Sequence, residues 1–397
     1  MAKVNKNAPK YVVGLDIGTT KIAVVVGCET PEGKIDIVGY GKSESHGVTR
    51  GFVANIDLTV DAINTAVQQA KEMSNVDIKH VIVGIAGQYV KCIQQRGHHM
   101  RMEGHGEITQ EDIDKLMESM EHLAINPGEQ IIDVVPQEYI IDGEPGIKNP
   151  VGMVGTTIET NFHIITAQTS AVNNIKTCIN RAGLIMDKLI LEPIASSYAV
   201  LTEEEQEAGV VLVDIGGGTT DVAIYHDCLL RYTSVIPFGG EVITNDIKEG
   251  CQIIRRYAED LKVKFGSALV EKNREEDIVV IPGLHGRPPR EISLVNLASI
   301  IQSRMEEILE QVAFEIRSSG FDKKLVAGIV VTGGGSVLKH IIQLTEFVTG
   351  KGVRIGYPNE FMEQGANQVR NSPIFATVIG LLRMGLEMEK QKKKAMS

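Results

Sequence analysis

The strongest constraint on this chain is a pattern that it contains twice. Residues 12–24 read VVGLDIGTTKIAV and residues 211–224 read VLVDIGGGTTDVAI. Each copy runs an apolar strand into an aspartate, Asp16 or Asp214, then a glycine turn, then a second apolar run. Two related hairpins at a domain-sized separation predict two similar half-molecules facing each other, with one ligand between them. A glycine turn lets the backbone approach an anion and aim N–H groups at it. Gly18, Thr19, Thr20 and Lys21 on one side, and Gly216, Gly217, Gly218, Thr219 and Thr220 on the other, are the expected phosphate cradle. Two carboxylates beside a polyphosphate need Mg2+ between them, which makes Asp16 and Asp214 the expected metal residues. The competing reading of one such turn is a tight β-turn with a solvated aspartate; two related copies outweigh it.

The 397 residues suffice for two large domains or several subdomains. A net charge of −11 argues against general nucleic-acid binding, which favours basic proteins. The five cysteines are scattered without a CxxC spacing, so a reducing cytosol is expected, with neither a disulfide framework nor a zinc site. The basic N-terminus has no apolar run behind it, unlike a signal peptide. No apolar run approaches the roughly 20 residues that cross a bilayer.

Periodicity predicts a hairpin over 11–27, a helix over 57–73 and a buried strand His80–Ile85, the opening of an α/β domain. Residues 86–165 read as a small α+β insertion. Thr109 and Asp112 form a capping box, and two strands at 131–135 and 138–141 flank Pro136. The segment 142–146 is turn-rich. The α/β pattern is expected to resume with a strand over 162–166 and a helix over 171–182. The second half repeats the scheme: a hairpin over 210–225, one long helical block over 241–266, a Pro- and Gly-rich loop at 282–289 and a helix over 294–318. A strand over 327–332 and a last helix with a basic tail close the chain.

Two further positions carry chemistry. The strand that ends in Gly333-Gly334-Gly335-Ser336 can cradle adenosine or phosphate. Its alternative is an ordinary strand turn. Glu192, at a Glu-Pro helix start, could orient an attacking water or simply favour the helix dipole. No GxGxxG with a following acidic residue and no GxxxxGK[ST] is present. His98, His99 and His105 read as exposed loop histidines rather than a metal site.

Together these features resemble the actin, Hsp70 and sugar-kinase ATPase superfamily, and within it the chain is similar to the FtsA family of bacterial cell-division proteins. The similarity spans residues 11–385. It is carried by Val135-Pro136-Gln137-Glu138-Tyr139, Gly146-Ile147-Lys148-Asn149-Pro150-Val151-Gly152, Ala195-Ser196-Ser197-Tyr198-Ala199-Val200-Leu201-Thr202 and Gly286-Arg287-Pro288-Pro289-Arg290.

The resemblance implies an actin-like ATPase fold, α/β, with ATP and Mg2+ in the cleft between two halves. It implies a first subdomain (1A) from 1–85, 166–204 and 371–397, an inserted one (1C) over 86–165 that makes filament contacts, a second actin-like one (2A) from 205–245 and 320–370, and a small one (2B) over 246–319. Glu192 and Asp214 are then the catalytic candidates for slow hydrolysis. Gly239 and Gly240 open a helix beside the nucleotide, and Glu259 and Lys262 meet adenosine, their alternative being a surface ion pair. Arg304 is the candidate contact for the acidic, apolar C-terminal tail of the tubulin-like FtsZ, its alternative a solvated arginine. The implied role is an actin-like polymer that ties FtsZ filaments to the cytoplasmic face of the inner membrane at the septum and meets other divisome proteins. A small-molecule kinase, an Hsp70-like chaperone and a pilus-assembly ATPase are the alternatives within the superfamily. The usual membrane-targeting C-terminal helix is not found before Ser397, and the basic tail is expected to be a disordered end.

Overall fold

The computed structural model describes residues 10–101, 106–283, 286–359, 362 and 366–395. Each predicted hairpin forms: Val12–Ile17 pairs antiparallel with Lys21–Glu29, and Val210–Ile215 with Thr220–His226. Each lies in a five-stranded sheet. In the first, the order is Ile185–Leu191, His80–Ile85, Val12–Ile17, Lys21–Glu29, Ile35–Glu44. In the second it is Val353–Ile355, Ile329–Thr332, Val210–Ile215, Thr220–His226, Leu229–Ile236. Order and strand directions match, so the repeat seen in sequence is a repeat of architecture. Both first strands are buried at every position, as befits strands covered on both faces.

Two passages of chain link the halves. One is the helix Glu192–Val200, with Pro193 in its first turn; the other is Ala376–Ala395, which also covers the first sheet. They cross at Gly380, where a Cβ would stand 1.7 Å from the carbonyl oxygen of Ala195. The last helix runs on through the basic segment to Ala395, and Lys390 pairs with Glu29 at 2.5 Å. That corrects the expectation of a disordered end: the segment lacks helix breakers and meets acidic partners.

The insertion is a four-stranded antiparallel sheet in the order Val90–Met100, Thr157–Gln168, Glu129–Ile141, Glu144–Ile147. Phe162, Ile158, Ile164 and Leu116 form its core, against the helix Gln110–Glu121. Thr109 and Asp112 cap that helix reciprocally. Thr109→Ala should cost about 1 kcal/mol, visible as a lower midpoint for the insertion in thermal unfolding.

Several local expectations change. Pro136 does not separate two strands; one strand runs from Glu129 to Ile141. Gln137 and Glu138 together oppose the single residue Asn161, a bulge that tolerates the missing proline N–H. Residues 144–147 form a short strand rather than only a turn. The strand at 162–166 belongs to the insertion's sheet, so the first half resumes after it. The block at 241–266 is two helices, Gly240–Gly250 and Arg255–Phe265, broken where Gln252 takes φ 51°. The described part of the 282–289 loop joins strands Ile278–Ile281 and Arg290–Ser293. His98 and His99 stand on a strand, not a loop, and His105 lies outside the described residues.

The bulge also turns the insertion toward the second half. Gln137 Nε2 donates to the Leu230 carbonyl at 2.8 Å, and Glu138 receives Arg231 at 2.7 Å. Thr233 Oγ1 meets Cys92 Sγ at 2.7 Å and His163 Nε2 at 3.0 Å. Burial holds the His163 imidazole down at about 4, so it is neutral at this contact.

Candidate functional site

The hairpin registers place the carboxylates. Asp16 faces Ala23, and Asp214 faces Asp221. The same offset relates all four, so Thr19 and Thr20 correspond in space to Gly217 and Gly218. The threonine pairs of the two copies are not structural equivalents. Thr220 is fully buried in its strand, and its hydroxyl donates to the Phe238 carbonyl at 2.8 Å.

The turns meet crosswise. A Cβ on Gly217 would come within 2.4 Å of Thr20, and one on Gly218 within 2.3 Å of Thr19 Oγ1. Thr19 Oγ1 accepts from the Gly51 N–H at 3.1 Å. Lys21 Nζ donates to Asp16 Oδ2 at 2.9 Å, and Gly18 closes its turn onto the Lys21 carbonyl. Neither aspartate is solvated: Asp16 is 4% and Asp214 6% exposed.

Behind the second turn, Gly240 N donates to the Gly216 carbonyl and Glu241 N to the Gly217 carbonyl. A Cβ at Gly239 would collide with three carbonyls of that turn. Lys262 Nζ reaches the Gly240 carbonyl at 2.8 Å, Thr244 Oγ1 at 2.7 Å and Glu259 at 2.8 Å. Burial pulls the Lys262 ammonium below its usual range, against the pull of Glu259. This is more than a surface ion pair, because it fixes the start of the helix that backs the turn.

Gly333, at φ 80°, lets the third turn close over Asp214; a Cβ there would be 2.2 Å from Oδ1. Gly335 packs on Ile215, and Gly334 is exposed. Ser336 is fully buried and donates to the Gly333 carbonyl at 2.8 Å. A cavity of about 460 Å³ opens beyond it, lined among others by Ser336, Leu338, Tyr357 and Ile374.

Glu192 lies over Gly84, whose Cβ would touch it at 2.9 Å. Burial pushes its carboxyl well above the usual range, with Asp16, Asp221 and Asp214 adding to the shift. Asp221 is raised well above its usual range by burial and then by Asp214. Burial also raises Asp214, while the Ser196 hydroxyl and Lys21 oppose the shift. One lysine, Lys21, faces Asp16, Glu192 and Asp214, and Asp221 Oδ1 is buried without a hydrogen-bond partner. That imbalance and the all-oxygen donor set fit a hard divalent cation. Among the described residues no three such side chains converge to cage an ion, so a cation here would keep much of its water.

Residues 87–166 match the family described as SHS2 domain inserted in FTSA, and residues 211–380 match Cell division protein FtsA. The chain is 41% identical to the cell division protein FtsA of Neisseria meningitidis over 381 residues, spanning 96% of this chain and 91% of that one. It is 37% identical to that of Pseudomonas aeruginosa over 380 residues, spanning 96% and 90%. The chain belongs to the FtsA family of cell division proteins.

Solved structures share this actin-like fold. A chain of the PilM-PilN type IV pilus biogenesis complex superposes with a TM-score of 0.67 at 17% identity, covering 94% of this chain and 98% of that one. MreB5 of Spiroplasma citri bound to ADP superposes at 0.57 and 14% identity, covering 97% and 98%. No helix among the described residues of this family member is long and apolar enough to cross a membrane.

Contacts thus join the predicted nucleotide residues of the second half other than the exposed Gly334 to its hairpin, directly or through Gly240 and Gly333. Arg304 stands apart, on the helix Leu294–Ser318. Its guanidinium grips Asp246 at 2.5 and 3.1 Å and Glu307 at 2.6 Å, so it is ion-paired rather than solvated. Sequence reading missed three residues at the site. Asp221 follows the Thr-Thr pair of the second copy as Lys21 does in the first, and Ser196 lies one helical turn after Glu192. Thr377 had no local signal.

Proposed function

We propose that this chain binds ATP with Mg2+ between its halves and polymerises into actin-like filaments that tie FtsZ filaments of the division ring to the inner membrane. It acts at the cytoplasmic face of the septum and recruits other divisome proteins. The observation that carries the reading is the meeting of two glycine turns, one from each half, around Asp16, Asp214, Asp221, Glu192 and Lys21. ADP in MreB5, a protein of the same fold, supports a nucleotide as the ligand.

In this reading the backbone N–H groups of both turns bind the phosphates. Asp16 and Asp214 hold Mg2+ mostly through water, and the bound cation supplies neutralising charge. Glu192 orients a water for slow hydrolysis. The Gly333 turn, Glu259 and Lys262 flank adenosine. The insertion makes filament contacts, and residues 246–319 receive the FtsZ tail.

Electron microscopy of the chain with Mg-ATP on a lipid monolayer should show filaments. Arg304→Glu should weaken an FtsZ tail peptide about tenfold, or ~1.4 kcal/mol, because a tail carboxylate is expected to take the place of Glu307 on Arg304. Absence of both filaments and peptide binding would sink the reading.

A further inference from the structure

Both passages of chain between the halves end on one carboxylate oxygen. Ser196 Oγ donates to Asp214 Oδ2 at 2.6 Å, and Thr377 Oγ1 donates to the same atom at 3.2 Å. The two hydroxyls lie 3.1 Å apart, and all three side chains are buried. Ser196 belongs to the helix that leaves the first half, Glu192–Val200. Thr377 stands in the first turn of the helix that returns, Ala376–Ala395.

Each hydroxyl has a single proton to give, and the carboxylate Oδ2 is the charged acceptor within hydrogen-bond reach of both. The Asp214 side chain is thereby fixed, and Oδ1 is left presented along the Gly333 turn. We propose that Ser196 and Thr377 are positioning residues that aim Asp214 at the divalent cation and tie cation binding to both helices that connect the halves. This rests on the reading of Asp214 as part of a nucleotide–cation site. A pre-aimed ligand loses less freedom when the ion binds, and removing such support costs about 10–100-fold in metal affinity.

The test is ATP affinity of the full chain by calorimetry, in excess Mg2+ and again in EDTA. Thr377→Val keeps the shape and removes the donor; Thr377→Ser keeps the donor. Thr377→Val and Ser196→Ala should each lose about tenfold of the affinity that Mg2+ adds, with the EDTA value unchanged. Thr377→Ser should keep the parental value. The proposal is overturned if both donor-less variants retain the parental gain from Mg2+, or if they lose affinity equally in EDTA. A parent with ATP affinity but no gain from Mg2+ overturns the cation reading itself, and this proposal with it. Should Ser196→Ala fail to fold, the Thr377→Val and Thr377→Ser pair decides alone.

Discussion

Asp214→Ala is expected to abolish the Mg2+-dependent part of ATP binding, lowering affinity by about 100-fold or more. The size follows from elementary electrostatics. A unit charge pair 4 Å apart interacts by about 4 kcal/mol at an effective dielectric of about 20. If ~2.7 kcal/mol survives desolvation, affinity changes a hundredfold. Stability without nucleotide should hardly change. The substitution relieves repulsion with Asp221 and Asp16. The Ser196 and Thr377 hydroxyls, already 3.1 Å apart, can pair with one another. Thermal unfolding should therefore show a parental midpoint without ligand and no greater rise with Mg-ATP than with ATP in EDTA. Calorimetry that returned the parental affinity would count against the site.

Gly380→Ala should be among the most destabilising single-methyl additions in the chain, costing about 3 kcal/mol, the upper end for overpacking. Alanine gains about 1 kcal/mol over glycine in a helix interior, so propensity alone predicts stabilisation. The crossing decides otherwise. The new methyl would stand 1.7 Å from the Ala195 carbonyl oxygen and 2.3 Å from its carbon, both backbone atoms that cannot rotate away. The helices Glu192–Val200 and Ala376–Ala395 must then part, loosening Ile379, Leu381 and Leu382 in the main core. A lowered thermal midpoint is expected, together with weaker nucleotide binding, since the same two helices deliver Ser196 and Thr377. An unchanged or raised midpoint would show that the two helices can part at this crossing without cost.

The long helices were legible because their apolar stripes are regular: Ile63, Ala66, Val67 and Ala70 in one, Leu297, Ile301, Met305, Ile308 and Val312 in another. The hairpins were legible because strands buried on both faces read as unbroken apolar runs. The third strand of each sheet was not. In Ile35–Glu44 and Leu229–Ile236 burial is irregular, and neither shows a clean alternation. Pro136 misled because a proline normally ends a strand; the bulge that accommodates it depends on a partner strand over 20 residues away in sequence. At the site, local glycine chemistry pointed to the turns, whereas the partners of Asp214 come from two distant helices. The spatial equivalence of Thr19 with Gly217 depends on strand register, which a motif alignment by its threonines conceals.

The contact between the insertion and the second half has a mechanical consequence. A body joined to its neighbour by two helical passages can swing about the line between them. Here a third attachment joins the inserted sheet to the second half through Gln137, Glu138, Arg231 and Thr233. Any swing of the second half must either pull Arg231 from Glu138 or drag the inserted sheet along. Its reach then includes the far edge of the insertion, so any shift between the two glycine turns would be carried to an outer surface.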